Sequence, residues 1–203
     1  MEDCTRILGI DPGTRNVGYG VVESRGNTVV WLASGCIVAA GDTIAERLVT
    51  IYRGLGEIVA RHSPVTAAVE TVFTGNNPKT AIAIGEGRGV AVLSAAERGL
   101  EVRGYEPALV KRAVAGSGRA DKEQVRSMVR VLLGLPVAPA TDHESDALAL
   151  AITHARYLKM PGGCAVRSGS PGSSRGKRGP LPDFVLRQLP AGTAVSALRG
   201  KRR

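Results

Sequence analysis

The chain has 203 residues, 43% of them apolar, enough for one domain with its own core and a further segment beside it. No uninterrupted apolar run approaches the roughly 18 residues of a membrane span, the start lacks the basic-then-apolar pattern of a secretory signal, and the three scattered cysteines (Cys4, Cys36 and Cys164) point to neither a disulfide framework nor a zinc site, so a cytoplasmic protein is expected. The net charge is +9, yet Lys and Arg number 18 against 17 acids over residues 1–160 and 9 against 1 over residues 161–203, so any nucleic-acid surface on the body must come from clustering rather than bulk charge.

Ile7, Leu8, Gly9 and Ile10 form an apolar run that ends in Asp11, and Pro12-Gly13 stops it in a turn. A carboxylate is left at the end of a buried strand. Asp-Pro-Gly is also simply a good turn, so other acids must decide what Asp11 does. Val17–Ser24 and Val29–Val38 read as two further strands of an antiparallel meander, joined through Gly26 and Asn27. Gly18 and Gly20 mark places where a backbone or a ligand can approach closely.

From Thr43 the period changes, with Ile44, Leu48, Ile51, Leu55, Ile58 and Val59 at helical spacing. Val65–Val72 is a short β-branched strand that contains one acid, Glu70, expensive there unless paired, metal-bound or exposed at the sheet's edge. Pro78–Arg98 reads as a helix despite Gly85, Gly87 and Gly89, each of which costs about 1 kcal/mol in a helix interior. Close backbone packing, such as a second subunit, and a kinked or broken helix both account for them. Leu100–Tyr105 follows as a fifth strand, Pro107–Ala115 as a short helix, Gly116–Arg119 as a loop and Asp121–Leu133 as a helix. After a linker at Pro136–Ala140, Thr141–Lys159 is the last helix, with Thr141 and Glu144 fitting a capping box. Beyond Met160 the composition shifts to Pro, Gly, Ser and basic residues, which predicts a folded region over 1–160 and a disordered tail over 161–203.

This order of strands and helices is mixed α/β, with helices packed on a sheet. If the strands that end in Asp11 and Glu70 are central, and the last helix packs on the sheet, His143 and Asp146 join the two acids, since they lie three residues apart on one helix face. Oxygen-rich clusters of this kind hold Mg²⁺ or Mn²⁺, and paired ions about 4 Å apart serve phosphodiester cleavage. His143 taken alone is also compatible with an exposed polar residue at a helix start. Asp142 reads as a helix-start acid, because adjacent residues point about 100° apart and the two cannot both face the cluster.

Gly-Ile-Asp-Pro-Gly-Thr-Arg-Asn-Val-Gly-Tyr-Gly-Val, Val-Glu-Thr-Val-Phe, Gly-Arg-Gly-Val, the run from Val110 to Val125 and His-Glu-Ser-Asp-Ala-Leu-Ala-Leu-Ala together closely resemble the RuvC family of bacterial Holliday-junction resolvases, over about residues 5–158. The resemblance implies an RNase H-like fold with a five-stranded mixed sheet flanked by helices. It further implies a homodimer, metal-dependent paired cleavage of symmetry-related strands at a four-way DNA junction, two Mg²⁺ or Mn²⁺ ions per site, and cooperation with the RuvA and RuvB branch-migration proteins. The family's acids fall on Asp11, Glu70 and Asp146. The fourth ligand position, aspartate in some members, is His143 here, which removes one negative charge and favours Mn²⁺.

The family pattern also marks Phe73 for base stacking, and Lys111 and Lys122, with Arg112 and Arg119 beside them, for the phosphate backbone. A core aromatic and a solvated helix face are the plain readings of the same residues. An actin-like or sugar-kinase ATPase, which shares the Asp-x-Gly-Thr signal, needs two lobes that the foldable length does not supply. A related-fold RNA-processing nuclease and a catalytically weak junction-binding protein are the remaining alternatives.

Overall fold

The computed structural model describes residues 4–71 and 78–160. The predicted tail over 161–203, its boundary with the folded region, and Phe73 lie outside the described residues.

Strands β1 (Cys4–Asp11), β2 (Asn16–Arg25) and β3 (Thr28–Val38) form the expected antiparallel meander. Gly26 turns the chain between β2 and β3 with a φ of 46°, a conformation that side chains resist. Helix α1 (Ile44–His62) starts at a complete capping box between Thr43 and Glu46, then returns the chain to β4 (Thr66–Glu70), which lies parallel to β1. Helix α2 (Pro78–Glu97) carries it on to β5 (Glu101–Tyr105), parallel to β4. The sheet order is β3-β2-β1-β4-β5, so β1 is central and β4 is its parallel neighbour. Strand β4 is shorter than the sequence suggests, and Glu70 is its last residue. Helices α3 (Pro107–Ala115), α4 (Lys122–Leu133) and α5 (Asp142–Leu158) follow.

Strand alternation divides the core in two. Leu8, Ile10, Val21 and Val69 pack with Ile51 and Leu55 of α1 and Ala91 of α2 on one face. Ile7, Val22 and Ala68 pack with Val129 of α4 and Leu148 and Ile152 of α5 on the other. By the same alternation, Asp11 and Glu70 belong to the α5 face, at the ends of the series 7, 9, 11 and 66, 68, 70. The parallel register pairs Ile7 with Thr66 and Ile10 with Val69, so one step further Asp11 and Glu70 end side by side.

Helix α5 rests directly on this face. A Cβ built on Gly9 would lie 1.9 Å from the carbonyl oxygen of Ala147, and one on Gly18 would lie 1.9 Å from that of His143. Gly20, opposite Gly9 in the register, lies against Leu148. The close approach predicted at Gly18 and Gly20 is thus made by α5, through its backbone at Gly18 and chiefly through the Leu148 side chain at Gly20. Farther along, buried His154 binds Tyr105 through Nδ1 (2.6 Å) and Thr66 through Nε2 (2.8 Å). Because Thr66 Oγ1 donates to the Glu101 carbonyl (2.8 Å), it accepts from His154, so Nε2 carries the proton and Nδ1 accepts from the tyrosine. These bonds tie α5 to β4 and β5.

Helix α2 is continuous through its three glycines. Gly87 lets it approach the turn after β1, since a Cβ there would lie 2.5 Å from the Gly13 carbonyl oxygen. A Cβ on Gly85 or Gly89 would meet nothing within 4 Å.

Candidate active site

Asp11, at the end of β1, is 8% exposed. Burial raises its carboxyl above the usual range, while a hydrogen bond from His143 and the charges of His143 and Lys122 oppose that rise. His143, in the first turn of α5, places Nδ1 2.6 Å from Asp11 Oδ2. With Asp11 ionised, Nδ1 is the donor and Nε2 keeps a free lone pair, the arrangement in which a carboxylate orients a ligating imidazole.

Glu70 is pushed up to about 7, first by burial and then by the negative fields of Asp11 and Asp146, against the pull of Lys111. Asp146 is pushed up to about 6, again by burial first and then by Asp11, against Lys122 and His143. The structure therefore brings three carboxylates within mutual electrostatic reach in a half-buried cleft. Glu70 and Asp146 line a cavity of about 250 Å³ together with Lys111 and Lys122, over a floor that includes Val110 and Leu150.

Among the described residues, no three His, Cys, Asp or Glu side chains are arranged to hold a metal ion as they stand. The donor set nevertheless fits a divalent ion. Clustered carboxylates whose protons are held by burial first and by one another's charge second are groups that a cation relieves on both counts.

The basic residues separate into two groups. Lys111 and Lys122 reach the cavity wall, whereas Arg112 and Arg119 are exposed and do not line it. Lys122 Nζ is 3.0 Å from Asp142 Oδ2, so the helix-start acid pairs with α4 while its neighbour His143 turns to Asp11. Arg88 Nε donates to the Glu70 carbonyl oxygen at 3.0 Å and fastens α2 to the end of β4. Arg88 lies in the Gly-Arg-Gly-Val stretch that helped carry the resemblance, but its spacing alone gives no sign of this partner at the end of β4.

The capping box expected at α5 is only half present. Thr141 Oγ1 accepts from the Glu144 amide (3.1 Å), but the Glu144 carboxylate turns to the Ala140 amide (2.8 Å) and to Ser34 Oγ on β3 (2.6 Å) instead of the Thr141 amide. The Glu144 side chain thus bridges the loop before α5 and strand β3 instead of closing the reciprocal cap.

A family model described as "Crossover junction endodeoxyribonuclease RuvC" matches residues 7–154. The protein of that name from Moorella thermoacetica is 52% identical over 152 residues, which cover 74% of this chain and 91% of the relative. The one from Pseudomonas putida strain W619 is 48% identical over 163 residues, 79% of this chain and 93% of its own. Among solved structures, T. thermophilus RuvC in complex with Holliday junction substrate superposes with a TM-score of 0.72 at 37% identity, covering 76% of this chain and 94% of that one. The yeast mitochondrial Holliday junction resolvase shares the fold alone, at 11% identity and a TM-score of 0.57. The five-stranded mixed sheet is accordingly RNase H-like, and this chain belongs to the RuvC family of crossover junction endodeoxyribonucleases.

Proposed function

We propose that this chain resolves four-way DNA junctions by paired, symmetric, metal-dependent phosphodiester cleavage. The observation that carries the reading is the convergence of Glu70 and Asp146 at one cleft whose wall also holds Lys111 and Lys122, with Asp11 close enough to raise both acids. Asp11, Glu70, Asp146 and the Nε2 atom of His143 would hold two Mg²⁺ or Mn²⁺ ions. Bound there, the ions would activate water and stabilise the leaving oxygen. Glu70, with its carboxyl near 7, gives up its proton as the site loads, so loading releases protons at neutral pH. Lys111 and Lys122 draw the phosphate to the cleft, and Phe73 is assigned by family pattern to stack on an unpaired base.

Paired cleavage requires two active sites, hence a homodimer. The open face of α2 supports one, because Gly85 and Gly89 leave room for a closely packed backbone and Ile82 and Leu93 are 63% and 59% exposed. Cooperation with RuvA and RuvB belongs to the same reading on family grounds. The test is a mobile four-way junction offered with Mg²⁺ or Mn²⁺ to the wild type and to Asp11→Asn. Paired symmetric nicks from the wild type alone are expected, and cleavage that survives Asp11→Asn overturns the site.

A further inference from the structure

Glu144 stands between His143 and Asp146 in sequence, yet its carboxylate takes no part in the acidic cleft. Oε1 accepts from Ser34 Oγ at 2.6 Å and Oε2 accepts from the Ala140 amide at 2.8 Å. Ser34 Oγ in turn accepts from Trp31 Nε1 at 2.9 Å, and Trp31 is the only tryptophan of the chain. An unbroken line of hydrogen bonds therefore runs from the indole on edge strand β3, through Ser34 and Glu144, to the loop that enters α5.

The line crosses to the helix over β2, where Gly18 leaves no space beneath the His143 carbonyl. The first turn of α5 is thus pressed onto the sheet at Gly18 and held sideways at Glu144. Side chains one residue apart on a helix point about 100° from each other, so an anchor at Glu144 resists the rotation that would swing His143 away from Asp11. Both bonds to Glu144 are charge-assisted, the shorter and stronger kind. The Thr141 cap closes the turn on itself, and the links that tie the turn to the rest of the fold through His143 and Asp11 or through Asp142 and Lys122 involve groups that metal or DNA would engage. Those of Glu144 do not, which leaves it as the constant anchor through loading and cleavage.

We propose that Glu144 is a positioning residue of the nuclease site, fixing the first turn of α5, and with it His143 and Asp146, through Ser34 and the Ala140 amide. The inference rests on the nuclease reading above. It is tested in the full chain with Glu144→Ala, Glu144→Gln and Ser34→Ala. Three quantities are measured: Mn²⁺ affinity by calorimetry without DNA, single-turnover cleavage of a four-way junction, and junction affinity in EDTA. Glu144→Ala is expected to weaken Mn²⁺ binding and slow cleavage by about tenfold or more, the usual range for a lost orienting partner, with junction affinity within about twofold of wild type.

Glu144→Gln, which keeps one acceptor oxygen, is expected to recover most of the loss, and Ser34→Ala to fall between. Trp31 emission changes in all three if the line is intact in solution. Ser34→Ala and Glu144→Gln keep the test open should Glu144→Ala fail to fold. Mn²⁺ affinity and cleavage both at wild-type level in Glu144→Ala overturn the proposal, as does a loss of junction affinity that equals the loss of rate. A wild type that binds Mn²⁺ but cuts no junction overturns the nuclease reading instead, and the Mn²⁺ affinities still decide the role of Glu144 in holding the site.

Discussion

The 2.6 Å contact between His143 Nδ1 and Asp11 Oδ2 joins the first turn of α5 to the end of the central strand, and it makes the imidazole and the buried carboxylate one unit. Replacing His143 with aspartate exchanges that attraction for repulsion between two acids and adds a negative charge to the cleft. Wild type is expected to cleave faster with Mn²⁺, which accepts nitrogen more readily than Mg²⁺, and His143→Asp to shift the ratio of rates toward Mg²⁺. Junction cleavage in each metal measures that ratio. An unchanged ratio would count against His143 as a ligand.

The acids also predict how metal-free stability responds to pH. Glu70 and Asp146 stand at about 7 and about 6 in the fold, against ordinary values of 4.5 and 3.8. The folded state therefore binds more protons than the unfolded state between about pH 4 and 7, and stability falls as pH rises through that window, by on the order of 2 kcal/mol after allowance for solvent screening and for the repulsion the pair shares. Asp146→Asn should accordingly melt higher than wild type in EDTA at pH 8, with the advantage shrinking toward pH 5. Thermal unfolding at the two pH values is the check. An advantage independent of pH would contradict the cost of ionising the buried cluster.

His154 acts in the opposite sense. Burial, and to a lesser degree the charge of Arg103, hold its imidazole at about 4 against an ordinary 6.5. The unfolded state then binds the extra proton, and stability is lost as pH falls from 6.5 toward 4, by about 3 kcal/mol at most. Since this window overlaps that of the acids, the contribution is read as a difference between proteins. His154→Gln should make the decline with rising pH steeper than in wild type, and parallel curves would exclude the effect.

Two glycine substitutions should move stability in opposite directions. Gly18→Ala places a methyl where the His143 carbonyl already sits, and is expected to destabilise the fold by about 1–3 kcal/mol and to impair cleavage. Gly89→Ala meets nothing and should stabilise the protomer by up to about 1 kcal/mol through helix propensity. If α2 forms the dimer face, Gly89→Ala also weakens association. Unfolding curves combined with light scattering over a dilution series separate the two effects.

Lys122 should contribute to junction binding in proportion to its freedom from Asp142. Lys122→Met is expected to weaken binding and reduce the salt slope by about one. Asp142→Asn should tighten binding in wild type and have little effect in the Lys122→Met background. A titration of affinity against salt for the four proteins decides it, and an equal gain from Asp142→Asn in both backgrounds would show a general charge effect instead.

The parts of the site that were legible in the sequence are those governed by short periods. Asp11 and Glu70 each end an apolar run, and alternation puts them on one face of the sheet. His143 and Asp146 share a helix face because they are three apart. The role of Glu144 was hidden, since its spacing from Thr141 fits a capping box and its true partner, Ser34, lies 110 residues away. Gly18 and Gly20 signalled a close approach without saying to what. The glycines of α2 looked equivalent in sequence, and only the turn after β1 distinguishes Gly87 from Gly85 and Gly89.

The seat of α5 on Gly9 and Gly18 has an evolutionary consequence. With helix carbonyls already where a methyl would go, the helix can neither slide nor lift without disturbing its core, so a substitution in its first turn changes the side chain that is presented and not the place it is presented from. Position 143 is one such place, in the first turn and against Asp11. A single nucleotide separates the histidine and aspartate codons, and a lineage can cross between them without rebuilding the machine that holds them.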